Sequence, residues 1–353
     1  MEDRSKPLVA DCRSALIMSE PIQLQALQLE DILIDRADQS FRPHYGGKFV
    51  HTAANAMTSH CLKAFSVIIL VIQLLHLIVV QSSMIDSSNS FRNLEGLSKG
   101  KAHPAIPKLK RYLNKFGYLN YVNESSLNGD HFDGDLEWAV KRFQRFFHLE
   151  VTGIVDSHTM QLLNTPRCGV PDTVSSQYSP QYAFIPGNPR WPMERDELVY
   201  SVVNNGKHHA LNFEDVRTAV KFAFYEWSDN SKFTFNERSS PEWTTTDIYV
   251  SFQSGDHGDG FPFDGPGNVL AHAFPPEVGA LHFDADEVWS TNDTILPTQV
   301  DLMSVTLHEI GHILGLAHSE DGSAVMYPYF PYGAIHRHLE DDDKKGIEAL
   351  YNF

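Results

Sequence analysis

The sequence predicts an α+β protein in two folded parts, a small helical domain followed by a larger domain of strands and helices. Hydrophobic residues recur at helical spacing between residues 105 and 164, whereas strand-like alternation appears among helical segments from Leu198 onward. The 353 residues are enough for two compact domains with extensions. Strands and helices around one sheet would make the second domain α+β, with about 160 residues.

The first domain is predicted to contain three short helices. Apolar residues at helical spacing follow Ile106 and stop at Gly117. A second run, 136–147, places four apolar side chains on one face: Leu136, Val140, Phe143 and Phe147. A third run, 155–163, begins with a capping signal at Asp156 or Ser157. The aromatic residues would form the core of a bundle of about 60 residues, near the lower size limit for a domain.

The segments that flank this bundle have no periodic pattern. Residues 84–104 are polar and mixed, and we expect a loose lead-in. Residues 165–192 are rich in Pro, Gly, Ser and Tyr, and we expect a linker on the surface. The predicted elements of the second domain are a strand at 199–203, a helix at 212–228, strands at 233–235 and 247–252, and a final helix at 339–351.

An apolar run at residues 64–80 has the layout of a secretory signal, because Lys63 precedes it and small residues follow. Met57 would provide a conventional start, so we expect a signal peptide at 57–83 and an upstream extension at 1–56. A membrane anchor with a cytoplasmic tail is the alternative. The run is short for a membrane span, and polar side chains interrupt it.

Charge and cysteine content narrow the range of functions. The formal net charge of −17 argues against a nucleic-acid partner, because phosphate binding requires basic patches. After removal of the signal peptide, Cys168 would be the single cysteine of the secreted part. One cysteine cannot form an internal disulfide in an oxidising compartment, so another role is expected for it.

Residues 308–318, HEIGHILGLAH, have the spacing of a zinc-binding helix. Positions i and i+4 share a helix face, and a glycine then lets the chain turn back, which would bring together three ligands: His308, His312 and His318. Three protein ligands leave one position for water, as in catalytic zinc sites, and Glu309 would take a proton from that water. Met326 fits the Met-turn that supports such sites.

The loop region at 254–287 is dense in metal-ligand side chains. Three nitrogens and one carboxylate would close a tetrahedral structural zinc site: His257, Asp259, His272 and His282. Asp264, Asp284 and Glu287, with carbonyl groups of the glycine-rich turn, suit calcium, which prefers six or more oxygens. A solvated acidic loop is the alternative interpretation.

These motifs together resemble those of the matrix metalloproteinases, a family within the metzincin zinc endopeptidases. The resemblance extends from about residue 104 to the C-terminus and implies a metzincin catalytic domain, with a twisted and mostly parallel sheet, after a peptidoglycan-binding-like prodomain. It implies carbonyl ligands for calcium from Gly265, Gly267 and Val269. We expect the layout of the plant matrix metalloproteinases, without a hemopexin-like domain after the catalytic domain.

The resemblance gives Cys168 a role. Residues 166–172, PRCGVPD, match the cysteine switch of the family, in which the thiolate would occupy the fourth zinc position. Arg167 and Asp172 would brace this loop with a salt bridge. The implied propeptide is 84–181 and the catalytic domain 182–353, with activating cleavage near the bond from Gln181 to Tyr182.

Departures from the family pattern affect two further sites. Asp247 is retained from a second calcium site, but the facing loop at 277–281 lacks the usual aspartate. The resemblance also places five residues at the substrate pocket: Leu270, Ala271, Ser304, Pro328 and Phe330. The small Ser304 at the floor would leave the pocket deep enough for a bulky apolar side chain such as Leu.

We therefore expect a secreted zinc endopeptidase, made as a zymogen, that uses zinc and calcium. Its expected partners are extracellular protein or peptide substrates and its own propeptide, with the protein acting as a monomer. Asn123 and Asn292 lie in glycosylation motifs. The alternatives are a membrane-anchored form of the same protease and a cell-surface binding protein that uses zinc as a scaffold.

Overall fold

The computed structural model describes residues 91–172, 182–207, 210–239 and 246–353. The predicted upstream extension and signal peptide lie outside these ranges, as does the apolar run at 64–80. Among the described residues, no helix is long and apolar enough to cross a membrane.

The first part of the described chain is a helical bundle. Its helices are α1 (Ile106–Lys115), α2 (Glu124–Asn128), α3 (Gly134–Phe146) and α4 (Ser157–Leu163). Asp133 and Asp156 begin α3 and α4 because each carboxylate accepts a hydrogen bond from an amide of the first turn. The prediction of three helices missed α2, since five residues are too few to show a helical period.

The segment before the bundle is packed where the structure describes it. Phe91 and Leu94 are buried in the bundle core, and Leu97 pairs with Val155 in an isolated bridge. The expectation of a loose lead-in is therefore wrong from residue 91 onward. A bundle this small needs the additional apolar surface to complete its core.

The second part is built on a six-stranded sheet of order β1-β5-β6-β4-β2-β3. The strands are β1 (Arg167–Cys168), β2 (Glu197–Val203), β3 (Thr234–Glu237), β4 (Ile248–Gln253), β5 (Val269–Ala273) and β6 (Ala280–Asp284). Every pairing is parallel except that of β5 with β6. Two short strands, β7 (Trp289–Ser290) and β8 (Val300–Asp301), pair separately. The predicted mostly parallel α+β fold is confirmed.

Three helices complete this domain: α5 (Phe213–Asp229), α6 (Leu302–Ile313) and α7 (Asp341–Tyr351). The indole of Trp227 on α5 donates to the carbonyl oxygen of Leu307 on α6 at 2.7 Å, so the two helices are locked together. All but one residue of α6 is buried. The zinc-motif histidines therefore lie in the interior of the protein.

The predicted surface linker at 165–192 is partly wrong. Its first residues form the buried strand β1, which extends the sheet beside β5. Trp191, near its end, is also buried and donates through its indole to the carbonyl oxygen of Ile313. Proline and glycine content indicated irregular backbone, but it did not reveal that this backbone packs against the second domain.

Candidate metal centre and active site

The zinc motif forms a cluster of three imidazoles. His308 and His312 lie one turn apart on α6, and their Nε2 atoms are 3.1 Å from each other. Gly315 has φ +103°, and a Cβ there would collide with the carbonyl oxygen of Pro189, so only glycine suits this turn. The turn brings the Nε2 atom of His318 to 3.1 Å from that of His312.

Each imidazole is oriented by a hydrogen bond at its other nitrogen. The Nδ1 atoms of the three histidines are 2.6–2.8 Å from oxygen acceptors, which are the carbonyl oxygens of Val325 and Leu316 and the carboxylate of Asp172. Burial lowers the pKa of all three rings, which keeps them neutral. The three Nε2 lone pairs therefore face a common point, as metal ligation requires.

Cys168 supplies a fourth ligand atom. Its Sγ lies 3.4 Å from the Nε2 of His312, and the four ligand atoms of this group all lie within 4.8 Å of one another. The amide of Cys168 donates to Pro328, and that of Gly169 donates to Ala271. Strand β1 therefore lies in a cleft between β5 and residues 328–330. Three imidazoles and one thiol are a donor set that suits tetrahedral zinc.

The carboxyl group of Glu309 lies beside this group. Its side chain is fully buried, and among the described residues neither oxygen has a hydrogen-bond partner within normal distance. Burial raises the pKa of Glu309 to about 8. The thiol of Cys168 lowers this pKa by a smaller amount, so it interacts with the carboxyl in the closed form. A buried carboxyl next to three metal-facing imidazoles is placed to exchange a proton with a molecule bound there.

Met326 lies beneath the histidines, and sequence reasoning missed what holds it there. The carboxylate of Asp343, at the start of α7, accepts hydrogen bonds from the amides of Val325 and Met326, each at 2.9 Å. Gly311 and Met326 pack closely, because a Cβ at Gly311 would overlap the sulfur of Met326. The acidic first turn of α7 was the available signal, but it also fits ordinary helix capping.

The second predicted zinc cluster is also assembled. The Oδ2 atom of Asp259 lies 2.7, 2.8 and 3.0 Å from ring nitrogens of His257, His272 and His282. Burial lowers the pKa of His272 to about 4, which favours the neutral form that binds metal. The four side chains leave no position for water, so the group suits a structural zinc ion.

The predicted calcium residues lie around a glycine-rich turn before β5. Gly265 and Gly267 adopt positive φ there, and Val269 begins the strand. One carboxylate oxygen of Asp284 and one of Glu287 are buried without a partner among the described residues. Burial and neighbouring acidic groups, including Asp264, raise the pKa of Asp284 to about 7. Buried, mutually repelling carboxylates fit an oxygen-coordinated cation.

Asp247 is used differently from the prediction. One of its carboxylate oxygens accepts the amide of Val199 at 2.8 Å, and the other forms an ion pair with Arg195. Both oxygens therefore have protein partners, and the geometry does not favour a second calcium site. The assignment of Asp247 stays a prediction.

A cavity of about 140 Å³ lies next to the histidine cluster. Two of the predicted pocket residues, Ser304 and Phe330, line it together with Tyr329. The hydroxyl of Ser304 donates to Asp301 and accepts the amide of His336, so the 336 loop closes the floor. The other three predicted pocket residues do not line the cavity: Leu270, Ala271 and Pro328. The first two are buried within β5, and the third meets β1 through its carbonyl group.

The expected ion pair of the 166–172 loop is present, with Arg167 and Asp172 joined at 2.6 Å. The same carboxylate lies 2.6 Å from Nδ1 of His318 and accepts the hydroxyl of Tyr118 at 2.7 Å. Burial alone would raise the pKa of Asp172, but Arg167 and His318 lower it to about 2. Sequence reasoning missed the contacts with His318 and Tyr118, for which no local pattern exists.

Comparison with known proteins agrees with this geometry. The model of the matrixin family matches residues 190–352, and that of the putative peptidoglycan binding domain matches residues 102–163. Metalloendoproteinase 1-MMP of Arabidopsis thaliana is 40% identical over 283 residues, 76% of either chain. Metalloendoproteinase 1 of Glycine max is 37% identical and covers 71% of this chain and 83% of its own.

A human protein is similar to this chain as well. Neutrophil collagenase of Homo sapiens is 39% identical over 71% of this chain and 52% of its own. These relatives are named metalloendoproteinases or collagenase, and the three-histidine group with Cys168 is compatible with the zinc that matrixins use alongside calcium. The chain therefore belongs to the matrixin family of zinc-dependent metalloendopeptidases.

Proposed function

We propose that this metalloendopeptidase is made as a zymogen whose latency depends on Cys168. The observation that supports this is the position of its Sγ, within 4.8 Å of every metal-facing nitrogen of His308, His312 and His318. A thiolate in this position would exclude the water needed for hydrolysis. Strand β1 also blocks the edge of β5, where an extended substrate would pair main chain to main chain.

Once the propeptide leaves, the residues of the site have distinct tasks. Bound zinc would supply a Lewis acid and lower the pKa of a water molecule. Glu309, buried and without another partner among the described residues, takes a proton from that water and delivers it to the leaving amine. The edge of β5 holds the substrate backbone, and the cavity lined by Ser304 and Phe330 receives the side chain that follows the cleaved bond.

The cavity supports a preference for a bulky apolar side chain after the cleaved bond. Its volume of about 140 Å³ exceeds the needs of a small side chain, and Phe330 contributes an apolar wall. A library of peptides that vary at this position, measured by kcat/KM, tests the proposal. We expect Leu and similar side chains to be favoured, and a preference for small or charged residues would refute it.

Substitution of Glu309 tests the catalytic assignment. Glu309→Ala should abolish peptide cleavage while the protein retains zinc, as measured by elemental analysis of the purified variant. Residual turnover within tenfold of the wild-type rate would overturn the assignment. A fluorogenic peptide assay with and without chelator also separates a protease from a zinc-scaffolded binding protein.

Substitution of Cys168 tests the latency assignment. Cys168→Ser should give a precursor that is active or processes itself, and a fully latent variant would count against the switch.

N-terminal sequencing of the active form should place cleavage near Gln181, which lies outside the described residues. A mature chain that begins after Trp191 would contradict this position.

Secretion and monomeric action on extracellular proteins are also part of the proposal. Secretion is supported by the signal-like run at 64–80 and by the exposure of Asn123 and Asn292 in glycosylation motifs. Sequencing the N-terminus of material recovered from medium distinguishes a cleaved signal peptide from a membrane anchor. A chain that retains residues 57–83 would favour the anchor.

A further inference from the structure

Tyr329 faces both the substrate cavity and the propeptide. It lines the cavity next to Ser304, and its ring and hydroxyl also contact the guanidinium group of Arg167. The carbon of that guanidinium lies 4.9 Å from the ring centre, and its Nη1 lies 3.3 Å from the hydroxyl. The propeptide thus presents a cationic side chain to a wall of the catalytic cleft.

The backbone pairing explains why these two side chains meet. Arg167 and Tyr329 are opposed in an antiparallel bridge, flanked by hydrogen bonds from Cys168 to Pro328 at 2.9 Å and from Phe330 to Pro166 at 2.8 Å. Side chains directly opposite each other on paired strands share one face, whichever way the second strand runs. Any extended chain paired with 328–330 therefore places one side chain against Tyr329.

Removal of the propeptide would leave this face without its cation. Four side chains surround the guanidinium group of Arg167. Three of them belong to the propeptide and would depart with it: Phe116, Tyr112 and Asp172. The fourth, Tyr329, stays with the catalytic domain.

Charge is distributed unevenly between the two parts of the chain. Residues 1–181 contain 18 acidic and 18 basic side chains, whereas residues 182–353 contain 27 acidic and 10 basic ones. The whole formal charge of −17 therefore belongs to the part that would remain after activation. An acidic enzyme attracts basic segments of a substrate toward its cleft.

We propose that Tyr329 is a specificity-determining residue of the activated enzyme and that it favours arginine at the substrate position facing its ring. The inference rests on the proposed protease function and deepens it. A cation over an exposed aromatic ring should raise kcat/KM by about two- to fivefold over a neutral side chain of the same shape.

The test uses the full chain activated by removal of its propeptide. Fluorogenic peptides with Leu after the cleaved bond carry arginine or its neutral isostere citrulline at one of the three following positions. The ratio of kcat/KM for the two peptides is measured for wild type, Tyr329→Phe and Tyr329→Leu. Because the ratio is taken within each variant, any change in overall activity cancels.

We expect one position at which arginine is preferred about two- to fivefold by wild type and by Tyr329→Phe, and at which Tyr329→Leu shows no preference. Equal rates for both peptides at all three positions would overturn the proposal. So would a preference that persists in Tyr329→Leu, which would assign it to overall charge. Absence of cleavage of every peptide by the wild-type enzyme would instead refute the proposed function.

Discussion

Replacement of Asp172 by alanine should release Cys168 from the histidine cluster of the precursor. The carboxylate of Asp172 joins three groups that are distant in sequence, because it contacts Arg167 and His318 at 2.6 Å and Tyr118 at 2.7 Å. The side chains of Arg167 and Asp172 are fully buried. Asp172→Ala would leave the guanidinium charge of Arg167 buried without its partner. This cost arises only in the closed form of the switch, so the variant favours the open form.

The size of the effect follows from the electrostatics of the pair. The pKa of Asp172 lies at about 2, against an ordinary value of 3.8, which corresponds to ~2.4 kcal/mol of preference for the charged form in this site. Loss of one partner from a buried ion pair costs ~3–5 kcal/mol. Even the smaller figure shifts the equilibrium between closed and open switch by about 50-fold.

Alkylation of Cys168 by iodoacetamide measures this opening in the zinc-loaded precursor, because the thiol is fully buried when the switch is closed. Asp172→Ala should react about 50-fold faster than wild type. Asp156→Ala is the matched control, since it removes a helix cap from the same propeptide without touching the switch. A rate for Asp172→Ala within threefold of the wild-type rate would refute the reasoning.

Three further outcomes are expected. Tyr118→Phe removes a hydrogen bond to the charged Asp172 and should speed alkylation of Cys168 about tenfold. Tyr121→Phe is the control and should leave the rate unchanged. Equal rates for the two variants would contradict the role of the Tyr118 hydroxyl. Selective calcium chelation should lower Tm more at pH 8 than at pH 5.5. The pKa of Asp284 is about 7 in the calcium-free fold, against 3.8 in the unfolded chain. The calcium-free fold therefore loses stability as the pH rises toward 7 and this carboxyl group ionises. An equal decrease in Tm at both pH values would argue against the calcium site. Asp343→Asn should destabilise the protein by about 2 kcal/mol in urea unfolding, since an amide cannot accept both Met-turn hydrogen bonds, while the exposed Asp341→Asn should change little.

Much of the candidate site was predictable from local spacing. His308 and His312 lie on one face of α6 because a separation of four residues is just over one helical turn, and Gly315 marks the point where the chain leaves the helix. The grouping of His257 with Asp259 likewise follows from a short loop. The strand and helix periods also sufficed for the α+β fold, although they missed α2.

Contacts between distant segments were not predictable in this way. The family resemblance implied pocket residues in β5, but Leu270 and Ala271 are buried within the sheet and do not line the cavity. The same resemblance suggested a calcium ligand at Asp247, but it did not reveal that the amide of Val199 and the guanidinium group of Arg195 bind its two carboxylate oxygens. Local composition indicates which chemistry a side chain can perform, whereas neighbours decide whether its polar atoms are available for it.

The sequence by itself determined the chemistry of the centre: two histidines and a glutamate at helical spacing, a third histidine after the turn at Gly315, and one cysteine expected to close the site. Only the tertiary structure decided how that closure is held. Asp172 meets His318 across 146 residues, and Tyr112 meets Tyr329 across 217. A helical period constrains only neighbours a few residues apart, so contacts across such separations depend on how the bundle packs against the cleft.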